Sequence, residues 1–151
     1  MPKSDPRWNA VLECNNVLRS RLLTWELLLF QLANENFRSD TRLITILQFV
    51  RQLLEQDLSR SFATEELGLY SDAEEHQPDT RDLVQELRQE HDDLREGLES
   101  MHRQLSEATF ETSELVRTAG MQLAEAVRTH MRREEEELIP ALVEGRYRVA
   151  G

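Results

Sequence analysis

A chain of 151 residues with 39% hydrophobic side chains can bury one sizeable core and is too short for two ordinary domains. A net charge of −11 and a pI of about 4.8, with nearly all the positive charge on arginines interleaved with acid, exclude the clustered basic surface that nucleic-acid binding requires. A single cysteine, Cys14, excludes an internal disulfide framework; the longest apolar run, Leu27-Leu28-Leu29-Phe30, falls far short of the roughly 18 residues of a membrane span; and no signal peptide is legible, so a cytoplasmic protein is expected.

Only 5 glycines and 4 prolines interrupt a sequence rich in Leu, Glu, Arg, Gln and Ala, the residues that lose least on entering a helix. An all-α fold follows. Ser4-Asp5-Pro6 is a good helix start. From Trp8, the residues Val11, Leu18, Leu22, Trp25, Leu29 and Leu32 recur at helical spacing, with polar Asn15 on the same stripe. The spacing predicts a helix over about 7–34, stopped at Asn34-Glu35-Asn36. Ser39-Asp40-Thr41 caps the next, over about 40–67, where Leu43, Leu47, Val50, Leu54, Leu58, Ser61 and Glu65 share one face.

Residues 70–79 show no periodicity and are expected to form an exposed connection. Asp79 or Thr80 then caps a third helix over about 80–106, with Leu83, Leu87, His91, Leu94, Leu98, Met101 and Leu105 in one seam. A turn at 109–113 leads to the fourth helix, over about 112–143, carrying Leu115, Ala119, Leu123, Val127, His130, Glu134 and Leu138. Pro140 is expected in the last turn or at its end, and Gly145 as the terminus. Four such helices pack most simply as an up-down-up-down antiparallel bundle with crossings of about 20°.

The two halves are alike. Setting Asn15 on His91 aligns Leu18-Arg19 with Leu94-Arg95, and setting Ser61 on His130 aligns Glu65-Glu66 with Glu134-Glu135. In an antiparallel bundle these positions fall in one layer, given the rise of roughly 1.5 Å per residue. His130 and Glu134, four residues apart, share a helical face and can converge on one point. His91, His130, Glu65 and Glu134 are therefore the candidate metal ligands. A metal-free solution stays open, in which these four side chains hydrogen-bond one another with Asn15 and Ser61. His102 reads as a surface residue, His76 as a loop residue, Cys14 as a small buried filler, Asp57 as the edge of the polar layer, and Trp8 and Trp25 as core. No activated nucleophile or phosphate-binding loop is legible, so an enzyme is not expected.

The pattern Glu90-His91-Asp92-Asp93-Leu94-Arg95, with His130-Met131-Arg132-Arg133-Glu134-Glu135 leading to Leu138-Ile139-Pro140, resembles the hemerythrin-like, or HHE cation-binding, domain family. The resemblance implies a four-helix bundle around a non-haem di-iron centre with terminal histidines and two bridging glutamates, serving oxygen, redox or nitric-oxide chemistry. Carried over, Glu65 and Glu134 match the bridging carboxylates, and His91 and His130 one histidine for each metal. The partner histidines fall at Asn15 and Ser61, whose neutral oxygens are weak ligands. The expectation is therefore one non-haem iron, zinc or manganese rather than a full di-iron centre, with oxygen or nitric oxide as small ligand. The alternative is a metal-free bundle kept as a protein-interaction or regulatory module.

Overall fold

The computed structural model describes residues 5–32, 42–109 and 111–150. Its elements are α1 (Pro6–Leu32), α2 (Arg42–Thr64), a π-helical turn (Glu65–Tyr70), α3 (Ser71–His76), a 3-10 turn (Pro78–Thr80), α4 (Arg81–Ser106), α5 (Ser113–Arg133), a second π-helical turn (Glu134–Leu138) and α6 (Ile139–Ala150). No strand occurs among the described residues. The four long helices α1, α2, α4 and α5 form the bundle.

Contacts between helices fix the directions. Arg21 meets Asp57 and Cys14 meets Thr64; Gln48 meets the His102 carbonyl and Glu66 meets His91; Trp25 meets the Gly120 carbonyl and Arg19 meets Glu135; Gly97 faces Leu123 and Glu90 meets His130, so numbers rise along one helix as they fall along its neighbour. All neighbouring pairs are antiparallel. Around the bundle the order is α1, α2, α4, α5, with α1 closing against α5. That last approach is tight, since a Cβ on Gly120 would come within 2.5 Å of Leu29. The Trp25 indole donates to the Gly120 carbonyl at 3.0 Å across the same seam.

The apolar stripes close into two core clusters. One is built on Leu18, Leu22, Trp25, Leu54, Leu58, Phe62, Leu94, Leu98 and Val127, the other on Trp8, Val11, Leu69, Tyr70, Leu87, Leu138 and Leu142. At roughly 1.5–3 kcal/mol for each large aliphatic side chain buried, these clusters supply the driving force for assembly. Between them lies a layer of buried polar residues: Asn15, Ser61, Glu65, His91, His130 and Glu134. The rings of Phe62 and Tyr70 flank that level, and its polar atoms must satisfy one another.

Four expectations need correction. Residues 70–79 are not an exposed connection, because the second helix continues through the π turn and α3 to His76, with Tyr70 and Ala73 fully buried. Their polar composition hides the continuation, since only these two side chains and Leu69 face inward. The fourth helix does not end at Pro140 or Gly145. Pro140 is the second residue of α6, in a first turn that tolerates its missing N–H, and the helix runs to Ala150. Leu115 is 69% exposed, and Val116 takes the core position instead. Thr80 does not cap its helix with its side chain, which donates to the Gln77 carbonyl instead. Ser4 and the signals at Asn34-Glu35-Asn36 and Ser39-Asp40-Thr41 lie outside the described residues.

Candidate metal centre

Each half of the bundle delivers its glutamate by the same device. Glu65 opens the π turn that follows α2, and Glu134 opens the π turn that follows α5. His91 sits mid-way along α4 and His130 in the last turn of α5. One ligand-type atom from each of these four residues lies within 4.8 Å of the others, and all four residues are buried. The Nε2 atoms of His91 and His130 are 3.1 Å apart, His91 Nε2 is 2.8 Å from a Glu65 oxygen, and His130 Nε2 is 3.6 Å from a Glu134 oxygen.

Two further glutamates set the orientation of the rings. Glu66 accepts from Nδ1 of His91 at 2.7 Å, and Glu90 accepts from Nδ1 of His130 at 2.9 Å. Arg95 lies 3.5 Å from Glu66, and Arg133 pairs with Glu90, so each outer carboxylate is neutralised from the surface side. A carboxylate holding Nδ1–H leaves the Nε2 lone pair aimed inward, which is how a metal-binding imidazole is prepared. Sequence spacing gives neither Glu66 nor Glu90 a role, although each directly follows or precedes a candidate ligand.

The electrostatics describe a site short of positive charge. Among the described residues Oε1 of Glu134 has no hydrogen-bond donor, and Oε2 of Glu65 has none unless Nε2 of His91, 2.8 Å away, carries a proton. Burial and then the Glu65 charge push the Glu134 carboxyl well above the usual carboxylate range. Burial also works to raise Glu65, but hydrogen bonds from Glu134, His130 and His91 outweigh it and hold Glu65 at about 2. For His130, burial favours the neutral ring, yet its hydrogen bonds to Glu65 and Glu90 raise the imidazole overall. Two adjacent buried carboxylates thus need either a shared proton or a cation.

Tyr70 and Phe62 belong to the same site. The Tyr70 hydroxyl donates to Glu134 Oε2 at 2.7 Å and lies 3.1 Å from His91 Nε2 and 3.4 Å from His130 Nε2. Burial, followed by the charges of Glu134 and Glu65, pushes the phenol far up, so without a cation it is a neutral donor. Phe62 stacks on His91 with ring centroids 3.8 Å apart. Helical spacing cannot find Tyr70, because a π turn inserts one residue and brings position i+5 onto the face of Glu65.

The internal likeness of the halves extends to their hydrogen bonds. Where His91 meets Glu66, the corresponding Asn15 meets the corresponding Glu135, through its amide at 3.4 Å. Arg95 contacts Asp92 and Glu66; Arg19, its counterpart, contacts Asn16 and Glu135. Glu90 pairs with Arg133, whereas the matching Cys14 faces the Thr64 hydroxyl. Asn15 and Ser61 therefore occupy the half-site that matches His91 and His130, with the supporting arginine and glutamate retained and the imidazoles absent. Ser61 Oγ donates to Glu65 at 3.4 Å, and Asn15 Oδ1 is buried without a donor.

The other candidates lie elsewhere. His102 is exposed beside Gln48, His76 is 67% exposed on α3, Cys14 is half-buried, and Asp57 pairs with Arg21 at 2.9 Å. Trp8 and Trp25 are core. Two inward imidazole nitrogens and two buried carboxylate oxygens can hold one divalent cation, whose charge the two carboxylates balance. No helix among the described residues is long and apolar enough to cross a membrane.

Comparison with curated proteins and with solved structures gives no match. The family model described as the hemerythrin HHE cation binding domain matches residues 11–142, nearly the whole bundle. The chain belongs to the hemerythrin HHE cation-binding domain family.

Proposed function

We propose that Glu65, His91, His130 and Glu134 hold one divalent metal, non-haem iron in the first place with zinc or manganese as alternatives, in a protein that binds or responds to oxygen or nitric oxide without turnover. The observation that carries this reading is the arrangement of the imidazoles. Both Nδ1 atoms are committed to outer carboxylates, which turns both Nε2 atoms inward, 3.1 Å apart and beside the inner carboxylates of Glu65 and Glu134. Without metal, shared protons must hold two imidazoles and two carboxylates this close; a cation among them would replace those protons with four bonds.

A redox-active metal bound there would supply the affinity for a small diatomic ligand. The chain does the rest. Glu66 and Glu90 fix the rings, Arg95 and Arg133 hold those glutamates, and Phe62 packs against His91 so that the site stays dry. The loss of imidazoles at Asn15 and Ser61 favours one metal over two, because neutral amide and hydroxyl oxygens hold first-row metals weakly. The test is metal content. Untagged protein should carry one metal per chain, and His130→Ala should lose it; protein as empty as the variant would sink the reading.

A second reading, a protein-interaction module, is favoured by a separate observation. Leu23, Leu27 and Phe30 of α1 are 60–66% exposed, and Phe49 of α2 is 60% exposed, which leaves an apolar stripe uncovered among the described residues. Light scattering of the parent and of Leu27→Glu separates self-association from a free surface: an unchanged monomer mass in both removes a second copy as the partner.

A further inference from the structure

We propose that the phenol oxygen of Tyr70 is a fifth protein donor to this centre, completing it as a tyrosinate site. The inference rests on the metal reading given above and adds a ligand from outside the histidine and glutamate set. The phenol oxygen is within 3.4 Å of three of the four proposed ligands: Glu134 Oε2 at 2.7 Å, His91 Nε2 at 3.1 Å and His130 Nε2 at 3.4 Å. A phenol has one hydrogen to give. Glu134 takes it at the shortest distance, which leaves the phenol oxygen's own lone pairs free to face the two imidazole nitrogens.

A hydrogen-bond donor serving Glu134 alone would need no such position. Separations of 2.7–3.4 Å among oxygen and nitrogen atoms that are mostly acceptors are those of donors grouped about a common centre. The backbone agrees. Tyr70 comes inward at the end of the π-helical turn Glu65–Tyr70, and such turns concentrate at functional positions. The corresponding π turn at Glu134–Leu138 is followed by Ile139, which carries no donor, so the oxygen is a property of the first half alone.

Ligation breaks the phenolic O–H bond; the proton leaves to solvent and the oxygen electron pair forms the bond to the metal. A hard anionic oxygen of this kind favours iron in its ferric form. The experiment loads the full chain with ferrous iron, oxidises it with ferricyanide, and measures iron content together with visible absorption and resonance Raman spectra. The expected result is a phenolate-to-ferric charge-transfer band with tyrosine ring modes, retained in Tyr147→Phe and lost in Tyr70→Phe, whose ring still packs on His91.

Bound iron without that band overturns the tyrosinate assignment and leaves the metal reading standing, as does a band that persists in Tyr70→Phe. Absence of iron from the parent overturns both together, and the iron assay tells the cases apart. Should Tyr70→Phe fail to fold, ring-deuterated tyrosine in the parent decides the same question: ring modes that shift on deuteration support the assignment, and modes that do not shift overturn it.

Discussion

Glu134→Gln should stabilise the metal-free protein while destroying its affinity for metal. The substitution keeps the side-chain size and an oxygen for Tyr70, but removes the acid. In the folded chain, burial and then the Glu65 charge hold the Glu134 carboxyl well above the usual range. The native state therefore keeps a proton that the unfolded state gives up above about pH 4.3, and stability falls as pH rises from there until the folded-state pKa is passed. Each pH unit over which the folded chain keeps that proton costs about 1.36 kcal/mol of stability. Gln needs no proton. The variant should recover that cost at pH 7, less about 1 kcal/mol for imperfect amide hydrogen bonds, and each net kcal/mol should raise Tm by about 2–4 °C for a chain of this size. Near pH 4, where both states hold the proton, the gain should vanish and leave only the amide cost.

Thermal melts followed by far-UV circular dichroism, with chelator and with added Fe²⁺ or Zn²⁺, check both halves of the claim. Metal at about 100 times its Kd should raise the parent by about 2.7 kcal/mol and leave the variant unmoved. A variant less stable than the parent at pH 7 in chelator would refute the reasoning, because it would mean that the ionised carboxylate is satisfied by the protein itself.

Glu66→Gln and Glu90→Gln each leave the inner donors intact but loosen a ring, and should weaken metal binding about 10–100-fold in competition titrations with a chelating dye. Because hydrogen bonds to Glu65 and Glu90 outweigh burial and raise His130, its proton must be displaced by metal; loading should release protons and tighten as pH rises, and calorimetry in buffers of different ionisation enthalpy should show the release. Phe62→Ala removes a side chain that is 1% exposed and stacked on His91, at a cost of about 3–5 kcal/mol, visible as a lower denaturation midpoint in urea. Asn15→His with Ser61→His restores imidazoles where Glu135 and Arg19 already stand, and should raise metal content to two per chain; unchanged content would show that the likeness of the halves stops short of function.

Much of this architecture is legible in residue spacing. Apolar seams interrupted by one or two polar positions place Asn15, Ser61, His91 and His130 at one level, since a helix repeats its inward face regularly. The same regularity hides Tyr70. Its face is set by a π turn, which breaks the period, and its neighbours in α3 are polar enough to resemble a loop. Leu115 misleads for a related reason: it stands one residue from the inward position that Val116 takes. Glu66 and Glu90 are invisible to spacing because acidic residues beside a helix stripe are ordinarily solvated, and only the Nδ1 distances distinguish these two from their neighbours.

The four proposed ligands and Tyr70 come from α4, α5 and the two π turns, and none comes from α1. The first helix packs Trp8 and Val11 into one cluster with Tyr70, and its Asn15 and Arg19 reach Glu135. It is also the helix that shows Leu23, Leu27 and Phe30 to solvent. Substitutions on that outer stripe remove no candidate donor atom, so the uncovered face and the polar layer can be altered one at a time.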